Sequence, residues 1–185
     1  MIGLRLLDYD DALAPHFDAI NRAWIEEMFV VEPHDDEVLS HPREQIVDRG
    51  GTILFVGRDD AILGDEILGA GALMPTGSAG GAPEIELTKM GVSAAARGSG
   101  AGAFLLAGLV ARAVALRPAS LYLLTNHSCE AAIHLYERAG FIHDPAIMAR
   151  YGATYQRADV AMSFPLDLDR GGLIQSGSGH HGPTR

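Results

Sequence analysis

The apolar positions change period several times along the chain, and each change predicts an element. Ile2, Leu4 and Leu6 alternate with Gly3 and Arg5, the period of two expected of an opening strand. Asp8, Asp10 and Asp11 then offer a helix start, and Leu13, Phe17, Ile20, Trp24 and Met28 recur at steps of three and four. This spacing predicts a helix over residues 11–29 with one core-facing stripe, on which Trp24 can also line a pocket. Residues 30–49 carry Glu32, Asp35, Asp36, Glu37 and two prolines, and read as a loop plus a short helix. Residues 52–58 and 67–74 are strand-like on either side of a turn over 59–66, which predicts an antiparallel hairpin. The Gly- and Pro-rich residues 75–83 read as a mobile connection, followed by a strand over 84–92. Phe104, Leu105, Leu106, Leu109, Val110, Ala113 and Val114 then return to helical spacing, and that helix ends near Arg117-Pro118. Residues 120–126 are apolar almost without alternation, as in a strand covered on both faces and parallel to the strand before the helix. Ser128 is placed to cap a further helix with Glu130 in its first turn and Gly140 at its end. Residues 141–143 resume an extended path, and Val160, Met162 and Phe164 alternate in a last strand. The order predicts an α/β fold: a central, strongly twisted mixed sheet with helices on both faces.

Composition narrows the class. A chain of 185 residues, 48% hydrophobic, is long enough for one domain with a real core, expected over residues 1–168. Residues 169–185 are rich in Gly, Ser and His and read as a disordered tail or an appended remnant. A net charge of -10 argues against a general nucleic-acid binder, which needs clustered Lys and Arg, but leaves room for a small phosphorylated ligand held by local amides. No apolar run approaches the roughly 20 residues of a membrane span, and the N-terminus lacks the layout of a signal peptide, so a soluble cytoplasmic protein with no membrane partner is expected. The single Cys129 excludes an intramolecular disulfide and a four-thiolate zinc site. The eight histidines show no paired metal spacing, so no metal is expected.

The chemistry gathers at Arg97-Gly98-Ser99-Gly100-Ala101-Gly102, between a strand and a helix. Small residues allow close backbone approach, and the free N–H groups and positive dipole end of the helix suit a phosphate. A nucleoside-triphosphate loop requires Gly-Lys-Ser/Thr at its end, and here Gly102 is followed by Ala103-Phe104. A dinucleotide site requires the loop after the first strand and an acidic residue about 20 positions later, whereas several strands precede this loop and residue 120 onward is apolar. The wider pattern is Val92, Arg97-x-x-Gly100-x-Gly102, a strand ending at Asn126, and Ala132-Ile133-His134-Leu135-Tyr136-Glu137-Arg138-Ala139-Gly140-Phe141. Together these closely resemble the GNAT superfamily of acyl-CoA-dependent N-acetyltransferases, firmly over residues 50–165 and more loosely before them.

The resemblance implies acetyl-CoA as co-substrate, a small-molecule or peptide amine as acceptor, and a possible homodimer. It implies that the amides from Arg97 to Gly102 hold the pyrophosphate, with the Ser99 hydroxyl and Arg97 charge added, and that the pantetheine arm pairs with backbone at Met90 and Val92. Asn126, ending its strand where the sheet splays, binds the coenzyme, orients a water or simply forms a turn. Acetyl transfer needs a neutral amine, a polarised carbonyl and a proton for the departing thiolate. Tyr136 is the candidate donor, one helical turn after Ala132, whose small side chain leaves space for the sulfur. A phenol near pKa 10 protonates a thiolate near 8.5 at a modest uphill cost of about 1.4 kcal/mol per unit. Glu84, Glu86 and Thr88 share one strand face, and Glu86, nearer the thioester, is the preferred base, acting through water; the same carboxylate has a plain structural role if it pairs with Lys89 or an arginine. A covalent acyl-Cys129, with His127 and His134 close in sequence, is a weaker alternative. Glu26, Glu27, Glu32, Asp35, Asp36 and Glu37 read mostly as a solvated face, which favours a cationic amine if it borders the cleft. From a different class, a non-catalytic acyl-CoA-binding or sensor domain keeps the same cradle.

Overall fold

The computed structural model describes residues 3–60 and 64–166. The expected tail therefore lies outside the described residues. A seven-stranded mixed sheet runs in the order β1-β2-β3-β4-β5-β7-β6. Its strands are β1 (Leu4–Asp8), β2 (Thr52–Asp60), β3 (Gly64–Ala79), β4 (Ala82–Val92), β5 (Ser120–Thr125), β6 (Ile142–His143) and β7 (Val160–Ser163). Among the described residues only the β4–β5 pair is parallel, and the helix between them supplies the crossover. The helices are α1 (Ala14–Met28), α2 (Pro33–Ser40), α3 (Ala101–Ala115), α4 (Glu130–Arg138) and α5 (Pro145–Tyr151).

Strand alternation feeds two cores. Leu54 and Val56 of β2, with Ile85 and Leu87 of β4, pack beneath Leu105, Leu106 and Leu109 of α3 and Tyr136 of α4. Ile53 and Phe55, on the opposite face of β2, join Phe17 and Ile25 of α1 and Val38 and Leu39 of α2. The sheet is thus covered on both sides, as the hydrophobic pattern predicts.

Several expectations are corrected. Residues 75–83 are not a mobile connection: β3 continues to Ala79, and a two-residue turn at Gly80 (φ 58°) and Gly81 (φ 82°) leads straight into β4. Both turn residues need positive φ, which glycine supplies. Pro75 is tolerated because the β2–β3 register begins at Thr52 opposite Leu73, so beyond Leu73 β3 has no β2 partner, and a register shift follows Pro75. Ser128 does not cap α4; Cys129 occupies that position, and the Ser128 hydroxyl donates instead to Asn126 Oδ1 (2.6 Å). Met28 is 43% exposed, while Ile25 fills the core position and Asn21 is buried within the apolar stripe. Residues 30–49 form α2 plus a π-helical turn (Arg43–Val47) rather than one short helix, and α5, opened by Asp144 and Pro145, was not expected.

Candidate active site

β4 and β5 pair only from Glu84–Ser120 to Glu86–Tyr122. Beyond that point they separate, and a cavity of about 510 Å³ opens between them, walled by Met90 and Val92 on one side and by Thr125, Asn126, Ala132 and Tyr136 on the other. A bulge in β4 helps. The register passes from Ala72–Thr88 to Ala70–Gly91, so Lys89 and Met90 together stand opposite Gly71, and Lys89 adopts φ 49°.

Beyond Arg97, the one residue of this loop that lines the cavity, the loop before α3 presents unused donors. Gly98 (φ 77°) and Gly100 (φ 87°) adopt the left-handed conformation, which turns the chain into the helix. Ser99 Oγ donates to Ala96 O (2.6 Å) and accepts from Ala101 N (3.3 Å), so this hydroxyl braces the loop. The amides of Gly98, Gly100, Gly102 and Ala103 have no hydrogen bond among the described residues. A Cβ at Gly98 or Gly100 would meet nothing within 4 Å, so the space above them is open. Arg97 lines the cavity but forms a two-pronged ion pair with Glu27 of α1.

Ala132 and Tyr136 both line the cavity, as their spacing predicts. Tyr136 is 8% exposed and edge-on to Phe141, and its hydroxyl has no hydrogen-bond partner among the described residues. Burial, with a contribution from the Cys129 thiol, holds its phenol above the ordinary value, so it remains protonated at neutral pH. Asn126 also reaches the cavity, yet its side chain is already used: Nδ2 donates to Arg157 O (2.7 Å), and Oδ1 accepts from Ser128 N (2.9 Å).

Glu84 and Glu86 are both buried. Glu84 is gripped by Arg150 of α5 through two contacts of 2.8 Å, which accounts for one of the two carboxylates on this strand. Glu86 does not line the cavity; Thr88, Lys89 and Tyr155 do. Burial raises the Glu86 carboxyl above the ordinary range, opposed by the Lys89 charge and the hydroxyls of Thr88 and Tyr155.

Beside it lies a buried ionic cluster that the sequence reading missed. Lys89 Nζ donates to Asp35 Oδ1 (2.8 Å) and to the Tyr155 hydroxyl (3.3 Å). Arg157 clamps Asp35 with Nη1 on Oδ2 (2.6 Å) and Nη2 on Oδ1 (2.9 Å), and also reaches Glu32 Oε1 (3.1 Å). Burial opposes ionisation of Asp35, but Arg157 and Lys89 outweigh it and hold the carboxyl well below the usual range. These residues are 54 and 122 positions from Asp35. The available signal was local: Pro33 after Glu32, with Asp35 three residues on, is a capping box, and the Asp35 carboxylate accepts from Glu32 N (3.0 Å).

The acetyltransferase (GNAT) family model matches residues 17–141, more than half of the chain. Among solved structures, a GNAT acetyltransferase of Staphylococcus aureus superposes with a TM-score of 0.72 at 14% identity, covering 89% of this chain and 99% of that one. N-acetylglutamate synthase of Neisseria gonorrhoeae, complexed with coenzyme A and N-acetyl-glutamate, gives 0.62 at 17% identity over 90% of this chain and 36% of its own. The NatC complex bound to Gag peptide and CoA gives 0.68 at 17% identity over 89% and 99%. Likeness at this identity bears on the fold. Among proteins of curated function, none matches the chain.

Proposed function

We propose, because the chain belongs to the GNAT family of acetyltransferases, that it moves the acetyl group of acetyl-CoA onto an amine by direct attack within a ternary complex. The observation that carries this reading is the unpartnered, protonated Tyr136 hydroxyl on the wall of a cavity that reaches Arg97, the residue that opens the glycine loop. The hydroxyl faces the cavity and no protein group occupies it among the described residues, so it is available to a ligand there. The amides of Gly98, Gly100, Gly102 and Ala103 are suited to the coenzyme pyrophosphate, with Arg97 at the rim and Ser99 bracing the loop. The pantetheine arm lies along the free edge of β4 at Met90 and Val92, which has no strand partner on the β5 side. Ala132 leaves space for the sulfur, and Asn126 fixes the opposite lip through its bond to Arg157.

In the reaction the amine lone pair attacks the thioester carbonyl carbon, the C–S bond breaks, and the thiolate takes the Tyr136 proton. Glu86 is the base. The neighbouring structures with coenzyme A and an amino-acid product or a peptide support an amine acceptor of that general kind. Release of free thiol from acetyl-CoA across a panel of amines tests the proposal. Turnover that falls on Tyr136→Phe supports it. Coenzyme A binding without turnover on any amine would identify a binding module instead.

A further inference from the structure

Glu86 is 4% exposed and is not on the cavity wall, so a base at this position needs a route to the acceptor. Thr88 stands two residues from Glu86 on the same face of β4, and it and Tyr155 line the cavity that Glu86 does not reach; the hydroxyls of both favour the Glu86 anion. The Tyr155 hydroxyl is the junction. It lies 3.3 Å from Thr88 Oγ1 and accepts from Lys89 Nζ at 3.3 Å. Lys89 is a donor only, so one lone pair of the Tyr155 oxygen is occupied and the phenol O–H is left to point to Glu86 or Thr88. The ring itself is fixed, with Lys89 4.4 Å and Arg157 5.1 Å from its centroid and the His34 ring at 5.4 Å.

Resting on the acetyltransferase reading above, we infer that Tyr155 is a proton relay: its oxygen takes a proton from the acceptor ammonium while its own proton passes to Glu86, directly or through Thr88. One N–H bond breaks and one O–H bond forms on Tyr155; the former Tyr155 O–H breaks and one forms on a Glu86 carboxylate oxygen. Tyr155 ends as it began. The neutral amine then attacks, and the second nitrogen proton, shed as the amide forms, replaces the one Tyr136 gives to the thiolate. Glu86 returns its proton to solvent, so the sum is ammonium plus thioester to amide, thiol and one proton.

Two electrostatic features suit this role. Burial, reinforced by the Glu86 charge, holds the Tyr155 phenol well above its ordinary value, so it passes protons by exchange and does not accumulate as a phenolate. The raised Glu86 carboxyl lies closer to an amine in proton affinity than an exposed one does. The groups facing the cluster are Thr88 and Lys89 of β4, Tyr122 of β5, Glu32, His34 and Asp35 at α2, and Arg157 of the segment before β7.

The test is kcat/KM for an amine substrate from pH 6 to 10 for the full chain and for Tyr155→Phe, Glu86→Gln and the double variant. Phenylalanine keeps the ring beneath Lys89, and glutamine keeps the shape of Glu86. Each single variant is expected to lose about 100-fold at pH 7, the lower end of general-base effects. That loss shrinks as the pH nears the pKa of the free amine, where no relay is needed. The double variant is no slower than the worse single one, because both act on one path. The rise in melting temperature with coenzyme A is unchanged throughout. Losses that are equal at every pH, losses that multiply in the double variant, or full activity in Glu86→Gln overturn the relay and leave the acetyltransferase reading standing. A wild-type chain that binds coenzyme A but turns over no amine overturns that reading, and the relay with it.

Discussion

Asp35→Ala is the sharpest test of how the site is held together. Asp35 is fully buried and accepts from three donors: Lys89 Nζ at 2.8 Å, Arg157 at 2.6 and 2.9 Å, and Glu32 N at 3.0 Å. Removing it strands a lysine side chain that is 2% exposed, and loss of one partner from a buried pair costs about 3–5 kcal/mol. In a domain of this size that is a fall in melting temperature of roughly 6–20 °C. Lys89→Met should cost less, because Asp35 keeps the bidentate Arg157. The double variant should be at least about 1 kcal/mol more stable than the sum of the singles, since the stranded ammonium is gone. The pH dependence has a definite sign. The folded-state pKa of Asp35 is depressed, so between it and the unfolded value of about 3.9 the unfolded chain binds more protons, and the stabilisation is complete above that window. The gap between wild type and Asp35→Ala should therefore narrow below about pH 4, where Asp35 is protonated in the unfolded chain. It should narrow again as the pH rises, because burial already lowers the Lys89 pKa and loss of Asp35 lowers it further, so the variant sheds the stranded charge. Thermal melts of the four proteins across that range measure it. A melting temperature for Asp35→Ala within about 2 °C of wild type at pH 5, or a gap that widens as the pH rises from 5 to 8, would refute the argument.

Four further outcomes are expected. Tyr136→Phe should lower amine-dependent thiol release by about 10²–10⁴-fold while leaving the coenzyme-induced rise in melting temperature intact. Glu86→Gln should be more stable than wild type at pH 8 and lose that advantage toward pH 4: a carboxyl with a raised folded pKa binds more protons folded than unfolded, so its wild-type contribution falls as pH rises. Gly91→Ala would bring a Cβ within 2.6 Å of Trp24 Cδ1, displacing the ring bonded to Asn21 at 3.0 Å; an overpacking loss of about 1–3 kcal/mol and a shifted emission from the chain's one tryptophan are expected. Arg97→Ala should leave the melting temperature unchanged, because its partner Glu27 is also solvent-exposed, but should weaken coenzyme A binding and flatten its salt dependence in titration calorimetry.

The parts of this molecule legible in its sequence are those governed by local period. The β2–β3 hairpin, the parallel β4–β5 pair with its α3 crossover, and the Ala132–Tyr136 face all follow from spacing alone. Residues 75–83 misled because Gly and Pro are loop residues on average, whereas here Pro75 sits past the last β2 partner and Gly80-Gly81 make the turn itself. Ser128 misled because a cap depends on backbone geometry one residue wide, and Asn126 captured its hydroxyl. The Asp144-Pro145 pair did signal α5, since Asp144 accepts from Ala146 N and Ile147 N, but seven residues give too short a period to read. Lys89, Asp35, Tyr155 and Arg157 were invisible as a group, because no local pattern records a contact made across more than fifty residues.

That group changes the meaning of the acidic segment. A solvated, acidic cleft would select a cationic amine by charge, yet four of the six acids are paired with Arg or Lys within the fold: Glu27 with Arg97, Glu32 with Arg157, Asp35 with Lys89 and Arg157, and Asp36 with Arg22. Glu32 also accepts from the backbone N–H groups of Gln156 and Arg157. The start of α2 is therefore a clamp on the stretch that carries Tyr155. If the clamp sets the position of Tyr155, conservative damage at a distance should be read in catalysis before stability. Glu32→Gln keeps an oxygen for only one of the two backbone donors, which use different carboxylate oxygens, and removes a charge from Arg157, whose side chain is 15% exposed. Its effect should appear as a lower kcat with little change in coenzyme A affinity, measured by steady-state kinetics and calorimetry on the same protein. A change confined to coenzyme affinity would place the clamp's influence at the cradle instead, some way from the relay.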